Sequence, residues 1–118
     1  MGDGSLQELT QLALALRDER DWAQFHNPKD VALSMSLEVA ELVEIMQWKN
    51  GAELQEHLAA QRDHLGQELS DVLYWVLVLA HDQQIDLATA FKAKLQQNAA
   101  KYPVEKARGI ARKYHDLG

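Results

Sequence analysis

Two short runs of the chain place carboxylates inside otherwise apolar helical patterns. In the first run, SLEVAELVEIMQW, Glu38 and Glu41 are three residues apart, which puts both side chains on one face of a helix. In the second run, GQELSDVLYWVLVLA, Glu68 and Asp71 repeat that spacing within the most hydrophobic part of the sequence. If these two helices pack antiparallel, the four carboxylates converge.

Buried acids of this kind need a counter-charge, because an unpaired carboxylate is costly to remove from water unless it is neutralised or bound to metal. No Lys, Arg or His occurs between Ser34 and Met46 or between Gly66 and Ala80, so we expect no ion pair within either helix. An all-oxygen cluster suits a hard divalent cation, Mg²⁺ or Mn²⁺. The pattern therefore predicts a metal site formed by four acids: Glu38, Glu41, Glu68 and Asp71.

These acids have two other interpretations. A solvated face is the simpler one, because E-x-x-E pairs are common on exposed helices, but Trp48 and Trp75 flank the two pairs and favour partial burial. A di-iron carboxylate bundle needs Glu-x-x-His on two helices. None of the five histidines has a Glu three residues before it. Gly-rich phosphate loops and the common hydrolase motifs are also absent from the sequence.

Composition narrows the class of protein. The 118 residues are 47% hydrophobic, which predicts a single domain over 1–118 with a core at about 5–103 and a basic tail at 104–118. The net charge of −6 argues against polymeric nucleic acid as a partner. The lack of cysteine fits a cytoplasmic location. No targeting signal is visible, and the longest apolar run is too short to span a membrane, so we expect a soluble protein with no membrane partner.

Caps and apolar periodicity predict four helices in an all-α fold. The third is apolar on almost all sides, which indicates a subunit interface. Residues 52–63 are predicted to form a connecting loop or a short solvated helix. The four helices run from the Ser5 cap to about Glu19, from the Asn27 cap to about Lys49 before Asn50-Gly51, from about Arg62 to Gln83, and from the Asp86 cap to about Lys101 before Pro103.

Two further groups of residues have a structural and a functional interpretation. Trp22 and His26 lie in DWAQFHNP, where the aromatic residues could close the end of a bundle or line a site, and where His26 could be a surface or capping residue. On the fourth helix, Leu87 and Phe91 begin an inward-facing stripe that then becomes cationic and polar. Either the end of this helix extends beyond the hydrophobic core, or the polar part of the stripe contacts a ligand. The residues concerned are Lys94, Asn98, Lys101 and Tyr102.

Four segments in order resemble the MazG-like all-α nucleoside triphosphate pyrophosphohydrolases, and within them the dCTP pyrophosphatase branch. The segments are RDERDWAQFHNPKD, SLEVAELVEIMQWK, QELSDVLYWVLVLA and KAKLQQNAAKYPVEKARG. The resemblance implies a four-helix MazG-like bundle assembled as a homotetramer, a dimer of dimers, with sites built from more than one subunit. It also implies hydrolysis of the α–β bond of a nucleoside triphosphate, with Mg²⁺ held by the four acids.

The same resemblance assigns the remaining residues. It implies that Trp22, His26 and Trp48 line the base pocket, and that Lys94, Asn98, Lys101 and Tyr102 meet the phosphates and sugar. Ala13 stands where a relative of the dCTP branch has a His near the nucleotide. A proton from the attacking water is expected to pass to a carboxylate such as Glu41 or Glu44.

The expected activity is thus Mg²⁺-dependent hydrolysis of dCTP or modified pyrimidine deoxynucleotides to the monophosphate and pyrophosphate, a house-cleaning reaction. The alternative is a non-catalytic helical oligomer that binds nucleotide or metal. That alternative predicts binding without turnover.

Overall fold

The computed structural model describes Gly2 and residues 4–109, and its regular elements are all helical. The all-α prediction is therefore confirmed. Contacts within the chain divide it into two compact units, one ending at Gln84 and one starting at Ile85. The elements are α1 (Leu6–Glu19), a 3₁₀ turn (Ala23–Phe25), α2 (Pro28–Met46), α3 (Gly51–Ala60), α4 (Arg62–Asp82), α5 (Leu87–Lys101) and α6 (Val104–Ala107).

The predicted helix starts are confirmed at three N-caps. In each, a side-chain oxygen accepts the backbone N–H of the residue three positions later, which satisfies one of the donors that a helix leaves without an internal partner. The caps and their N···O distances are Ser5 at 3.1 Å, Asn27 at 2.9 Å and Asp86 at 3.2 Å.

The end of α2 differs from the prediction. The helix stops at Met46, three residues before the expected Lys49, because Gln47 turns to an extended conformation with ψ of 137°. Trp48 then takes a left-handed conformation with φ of 69°, which is rare for a bulky residue. Gly51, expected to end α2, is the first residue of α3. The segment predicted as a loop or a short helix is therefore mostly helix.

The core of the first unit lies where α1, α2 and α4 meet, and the packing of α2 against α4 is the most extensive in the chain. Val31 of α2 and Val78 of α4 are 2% and 0% exposed. Together with Ala13 of α1 they form the buried cluster, and partly buried side chains of α4 pack against it: Tyr74, Trp75 and Leu79. This packing brings the two acidic helices side by side.

Two predicted apolar faces are more exposed than expected. Leu77 and Val78 of α4 are buried, but Leu69 is 51% exposed, so α4 is not covered on all sides within the chain. Its role in a subunit interface stays a prediction. On α5, Phe91 of the predicted inward stripe is 61% exposed, so the stripe is not covered there within the chain and stays a prediction.

Among the described residues, no helix combines the length and the apolar character needed to cross a bilayer. The beginning of the predicted basic tail forms α6. The rest of that tail, residues 110–118, lies outside the described residues.

Candidate active site

The acids of α2 and α4 meet at the contact between these helices. One carboxylate oxygen from each of Glu38, Glu41 and Glu68 lies within 4.8 Å of the others. Glu38 and Glu68 are half-buried and Glu41 is exposed. The i, i+3 spacing places both α2 acids on the face that α4 covers, as the sequence predicted. We call these three residues the acid cluster.

Asp71, the fourth predicted ligand, stands beside the acid cluster and is not within the same 4.8 Å group. It lines a cleft together with Glu38. Its negative charge also contributes to raising the pKa of both Glu38 and Glu68, which places it close enough to act on them. The structure thus brings three of the four predicted acids together and sets the fourth next to them.

The order of residues along the two helices shows how they pair. Glu41 and Ile45, late in α2, share a cleft with His64 and Glu68, early in α4. Glu38, earlier in α2, instead shares a cleft with later residues of α4 that begin at Ser70. Such a reversed order indicates antiparallel packing, which is the arrangement on which the predicted convergence depends.

Burial and the charges of neighbouring acids raise the pKa of two members of the acid cluster, Glu38 and Glu68. Burial is the largest cause that raises the pKa of Glu38, followed by the charge of Glu41. Burial also raises the pKa of Glu68 most, followed by a side-chain hydrogen bond with Glu41. Ionised together, the three acids repel one another, so a counter-ion would stabilise the site.

Two oxygens of the acid cluster lack a protein partner. Oε2 of Glu38 and Oε2 of Glu68 are buried and accept no hydrogen bond from the described residues. Buried polar atoms are rarely left without a partner unless they serve a ligand, an ion or a water molecule. Carboxylate oxygens less than about 5 Å apart can share one divalent cation, since Mg²⁺ and Ca²⁺ bind oxygen at roughly 2.0–2.6 Å. The donor set therefore fits a hard divalent cation.

One basic residue near the acid cluster was missed by the sequence analysis. Nε2 of His64 lies 3.4 Å from Oε1 of Glu68, one turn earlier on α4. In its protonated form His64 pairs with Glu68, so the expectation of no ion pair within either acidic helix does not hold for α4. The sequence signal is the spacing, because side chains four residues apart face each other on a helix and His64 lies four residues before Glu68.

Two clefts border the acid cluster. The polar cleft, of about 620 Å³, has Glu41 and Glu68 on its wall and is otherwise lined by Glu44, Ile45, Gln47, Lys49, His57, Gln61 and His64. The apolar cleft, of about 660 Å³, includes Glu38 and Asp71 and is otherwise lined by Leu9, Leu12, Ala13, Leu16, Trp22, Ser70, Leu73, Tyr74, Trp75 and Leu77. Both volumes are large enough for a small organic ligand.

Comparison with known proteins agrees with this arrangement. A family model described as MazG-like matches residues 33–117, which extend from the first compact unit into the second. The dCTP pyrophosphatase 1 of Rattus norvegicus is 41% identical over 115 residues, covering 96% of this chain and 68% of its own length. The chain belongs to the MazG-like family.

Further relatives of this MazG-like chain point the same way. The dCTP pyrophosphatase 1 of Homo sapiens is 38% identical over 115 residues, again covering 96% of this chain and 68% of its own length. The crystal structure of a pyrophosphatase from Archaeoglobus fulgidus matches with a TM-score of 0.80 and 36% identity, covering 87% of this chain and 96% of that chain. The resemblance stated from the sequence segments is confirmed, including its dCTP pyrophosphatase branch.

The two tryptophans predicted for the base pocket occupy different surroundings in this MazG-like chain. Trp22 is 42% exposed and lines the apolar cleft together with Glu38 and Asp71. The guanidinium carbon of Arg20 lies 5.7 Å from the centre of the Trp22 ring. Trp48 is 88% exposed and is not among the residues that line either cleft. The adjacent residues Gln47 and Lys49 line the polar cleft, whereas the side chain of Trp48 lies in solvent.

His26 packs behind the apolar cleft. Its ring meets the ring of Trp75 edge-on with the centroids 5.2 Å apart, and Trp75 in turn lines the cleft. Burial is the main cause that lowers the pKa of His26, the charge of Arg17 adds to this effect, and Asp82 opposes it. Nδ1 of His26 is buried without a hydrogen-bond partner among the described residues. Its role in binding the base stays a prediction.

The predicted phosphate and sugar residues belong to the second compact unit. Lys94, Asn98 and Lys101 lie on α5, and Tyr102 is its C-cap, where the backbone N–H of Tyr102 donates to the carbonyl of Asn98 at 2.9 Å. Offsets of four and seven residues from Lys94 place Asn98 and Lys101 on one side of the helix. Their role toward a nucleotide stays a prediction.

Proposed function

We propose that this chain hydrolyses the α–β phosphate bond of dCTP or a modified pyrimidine deoxynucleoside triphosphate, releasing the monophosphate and pyrophosphate. The chain is 38–41% identical to proteins named dCTP pyrophosphatase 1, which supports nucleoside triphosphate pyrophosphohydrolase activity. The observation that carries the proposal is the acid cluster, with two buried oxygens that lack a partner. It is what a metal-dependent pyrophosphatase would need at its site.

A divalent metal is the cofactor that the acid cluster suits, and we propose Mg²⁺, with Mn²⁺ as a substitute. The proposed ligands are Glu38, Glu41, Glu68 and Asp71. When bound, the cation offsets the charge of the phosphate oxygens and favours ionisation of the attacking water. The all-oxygen donor set supports this assignment, because neither thiolate nor imidazole belongs to the acid cluster.

The chain's own residues would then position the reactants. The attacking water forms a new bond to the α-phosphorus. The bond from that phosphorus to the oxygen that bridges the α- and β-phosphates breaks, and pyrophosphate leaves with this oxygen. Glu41 or Glu44, which both line the polar cleft, would accept the proton of the water. Trp22 would stack on the base within the apolar cleft, a contact that contributes on the order of 1–3 kcal/mol per base.

We also propose substrate contacts for residues of the second compact unit. Lys94 and Lys101 would offset phosphate charge, and Asn98 and Tyr102 would contact the phosphates or sugar. His26 would support the base pocket through Trp75. The cytoplasmic location also stays a prediction, drawn from the cysteine-free composition.

We further propose that the protein is a homotetramer whose sites combine residues of different subunits. Trp48 supports this, because it is 88% exposed and lines neither cleft of its own chain. A side chain so exposed on one chain is accessible to a nucleotide bound at a neighbouring subunit. Leu37 and Val43 of α2, at 65% and 54% exposure, would also be covered by such an assembly.

The test is a panel of deoxynucleoside and ribonucleoside triphosphates, incubated with and without Mg²⁺, with the products identified by chromatography. The expected products from dCTP are dCMP and pyrophosphate, formed only with the metal. Release of orthophosphate would indicate a different hydrolase. Nucleotide binding without any turnover would support the non-catalytic module instead.

Substitution of the acids tests the metal assignment. Glu38→Gln and Asp71→Asn are each expected to abolish pyrophosphate release, because the neutral amide no longer supplies the negative charge that balances the cation. The helical circular dichroism signal should remain. Glu56→Gln, a change of an exposed acid on α3, is the matched control and should stay active. Retained activity in Glu38→Gln or Asp71→Asn would contradict the assignment.

A further inference from the structure

His64 makes a contact that the proposed reaction does not use. It lies at the start of α4, one helical turn before Glu68, and its Nε2 atom is 3.4 Å from Oε1 of that residue. The side chain of Glu68 is 13% exposed and that of His64 is 49% exposed. An imidazole at the edge of the polar cleft therefore touches a carboxylate that is mostly withdrawn from solvent.

The two oxygens of Glu68 have different surroundings. Oε1 faces the imidazole of His64, whereas Oε2 is buried without a hydrogen-bond partner. A contact on one oxygen restricts rotation of the carboxylate plane and leaves the other oxygen available. Among the described residues of the first unit, no basic side chain forms an ion pair with Glu38 or Glu41. Glu68 is thus the member of the acid cluster whose orientation a basic side chain supports.

The ring of His64 is held from its other side as well. Its Nδ1 atom lies 3.4 Å from Oε1 of Gln61, the residue that precedes α4. Positions 61, 64 and 68 fall on one face of the helix, since they are three and seven residues apart. The side-chain amide of Gln61 has both a donor and an acceptor, so it can serve either protonation state of Nδ1.

His64 itself lies outside the acid cluster, since the group within 4.8 Å contains Glu38, Glu41 and Glu68 without an imidazole. The geometry therefore does not make His64 a nitrogen ligand to the same ion. The geometry corresponds instead to the outer partners of metal sites, which orient the ligating groups. Loss of such a partner typically weakens metal affinity about 10–100-fold.

We infer that His64 is a positioning residue that holds the carboxylate of Glu68 toward the acid cluster and so increases its affinity for a divalent cation. The inference rests on the proposed function, in which this cluster binds the metal. A free Glu side chain has three rotatable bonds and must be ordered when a cation binds. Prior restraint by His64 reduces that cost.

The experiment measures binding of Mn²⁺ alone to nucleotide-free protein, by electron paramagnetic resonance and calorimetry. His64→Ala is expected to raise the Kd for Mn²⁺ about tenfold, the lower end of the usual range because the ring is half exposed. His64→Gln, which keeps an N–H donor, should restore most of the affinity. His81→Ala, a change of an exposed histidine on the same helix, should leave the Kd within twofold of the unaltered protein.

A double-mutant cycle separates positioning from general damage to the fold. In a Glu68→Gln background the His64→Ala change should alter the Kd by less than twofold, because the side chain that His64 positions is already impaired as a ligand. An equal loss in both backgrounds would overturn the inference. A lower Kd in His64→Ala would also overturn it, since the ring would then compete with the cation.

Failure of this inference can be told apart from failure of the proposed function. If the unaltered protein binds Mn²⁺ and His64→Ala binds it equally well, the positioning role is wrong and the enzyme proposal stands. If Mn²⁺ binding depends on His64 but no triphosphate is hydrolysed, the enzyme proposal is wrong and the positioning role stands. Absence of Mn²⁺ binding in the unaltered protein overturns both.

Discussion

Charged residues of α4 take part in two different arrangements, one with α1 and one with α2. Arg17 of α1 and Asp82 of α4 form a partly buried pair, in which Nη1 of Arg17 donates to both carboxylate oxygens at 3.1 and 2.9 Å. Glu38, Glu41 and Glu68 instead bring like charges together. The first arrangement joins helices, and the second suits the binding of a cation.

At the residue scale, Glu38→Gln should stabilise the metal-free protein while it removes the response to metal. Because the pKa of Glu38 is raised in the folded state, its stabilising contribution is present at low pH and is lost as pH rises through that value. An uncharged Gln avoids this loss at neutral pH. We expect the melting temperature of the metal-free protein to rise by about 3 °C.

The measurement is thermal unfolding with and without Mg²⁺ at neutral pH. The unaltered protein should melt higher when Mg²⁺ is added, since a ligand of the folded state stabilises it. Glu38→Gln should show little or no such shift, and Glu56→Gln should behave like the unaltered protein. A lower metal-free melting temperature in Glu38→Gln, with the Mg²⁺ shift intact, would contradict the prediction.

The pair between Arg17 and Asp82 leads to a second prediction at the residue scale. Asp82→Asn removes the carboxylate to which the guanidinium of Arg17, whose side chain is 9% exposed, donates its hydrogen bonds. Breaking a buried ion pair costs about 3–5 kcal/mol, and the 25% exposure of Asp82 places the expected loss near the lower limit. Urea unfolding should therefore show a loss of about 3 kcal/mol in the free energy of unfolding.

A neighbouring acid provides the control for this change. Asp18 lies 3.8 Å from Nε of Arg17 but is 68% exposed, so Asp18→Asn should change the free energy of unfolding by less than about 1 kcal/mol. The double replacement Arg17→Met with Asp82→Leu should recover much of the loss, since no buried charge remains unpaired. If Asp18→Asn and Asp82→Asn lower the free energy of unfolding equally, burial of the ion pair does not determine its contribution to stability.

At the scale of elements, the starts of α1, α2 and α5 depend on short-range side-chain hydrogen bonds. Asp86 illustrates this at α5, where Oδ1 accepts the backbone N–H of Thr89 at 3.2 Å and Oδ2 accepts its hydroxyl at 2.9 Å. The hydrogen bond from the Thr89 side chain is the largest cause that lowers the pKa of Asp86, followed by the bond from its backbone. Both bonds favour the carboxylate form.

The lowered pKa gives the start of α5 a defined pH dependence. The stabilisation is fully present above the ordinary aspartate value and is lost as pH falls through the lowered value. The amide resonance of Thr89, followed by NMR, should therefore titrate with a midpoint below about pH 3.9. In Asp86→Asn that titration should disappear, and in Asp63→Asn it should remain. A Thr89 midpoint at or above pH 3.9 would contradict the prediction.

Element ends depend more on packing than element starts do. The end of α2 moved from the expected Lys49 to Met46, and the chain reverses through Trp48 with a positive φ. Glycine adopts this conformation most easily, and Gly51 was available three residues later. The exposed position of Trp48 follows from this early turn.

At the scale of the whole molecule, the chain leaves much of its apolar surface uncovered. Val78 is fully buried, whereas Leu12 and Leu37 are 61% and 65% exposed. Large contiguous apolar surfaces on a protein of this size usually mark an interaction site. This supports the proposed tetramer, which light scattering should detect as a mass near four times the 13.4 kDa of one chain. A monomeric mass would contradict it.

Subunit mixing tests whether Trp48 acts in a neighbouring subunit. Glu38→Gln should lack activity, and Trp48→Ala should bind nucleotide more weakly and raise the KM more than it lowers kcat. In a mixed oligomer, the intact Glu38 of one subunit can meet the intact Trp48 of another, so we expect activity above either parent at low substrate concentration. Activity equal to the mean of the two parents would place Trp48 at its own subunit's site or outside any site.

The sequence by itself determined the all-α class, the helix starts and the pairing of acids on two helices. Hydrogen bonds of the caps span only three residues, and the i, i+3 spacing fixes which side of a helix a residue occupies. Those features are local, so residues such as Asn27, Glu38 and Asp86 could be interpreted without knowing the fold. Recognition of the MazG-like family rested on the same local segments.

Only the tertiary structure decided which acids meet and what surrounds them. The antiparallel packing of α2 and α4 brings Glu68 to Glu38 and Glu41 and leaves Asp71 beside them. The exposure of Trp48 likewise depends on where α2 ends. Distances between helices and the burial of single atoms follow from how many distant side chains pack together, and the local periodicity of a sequence does not contain that information.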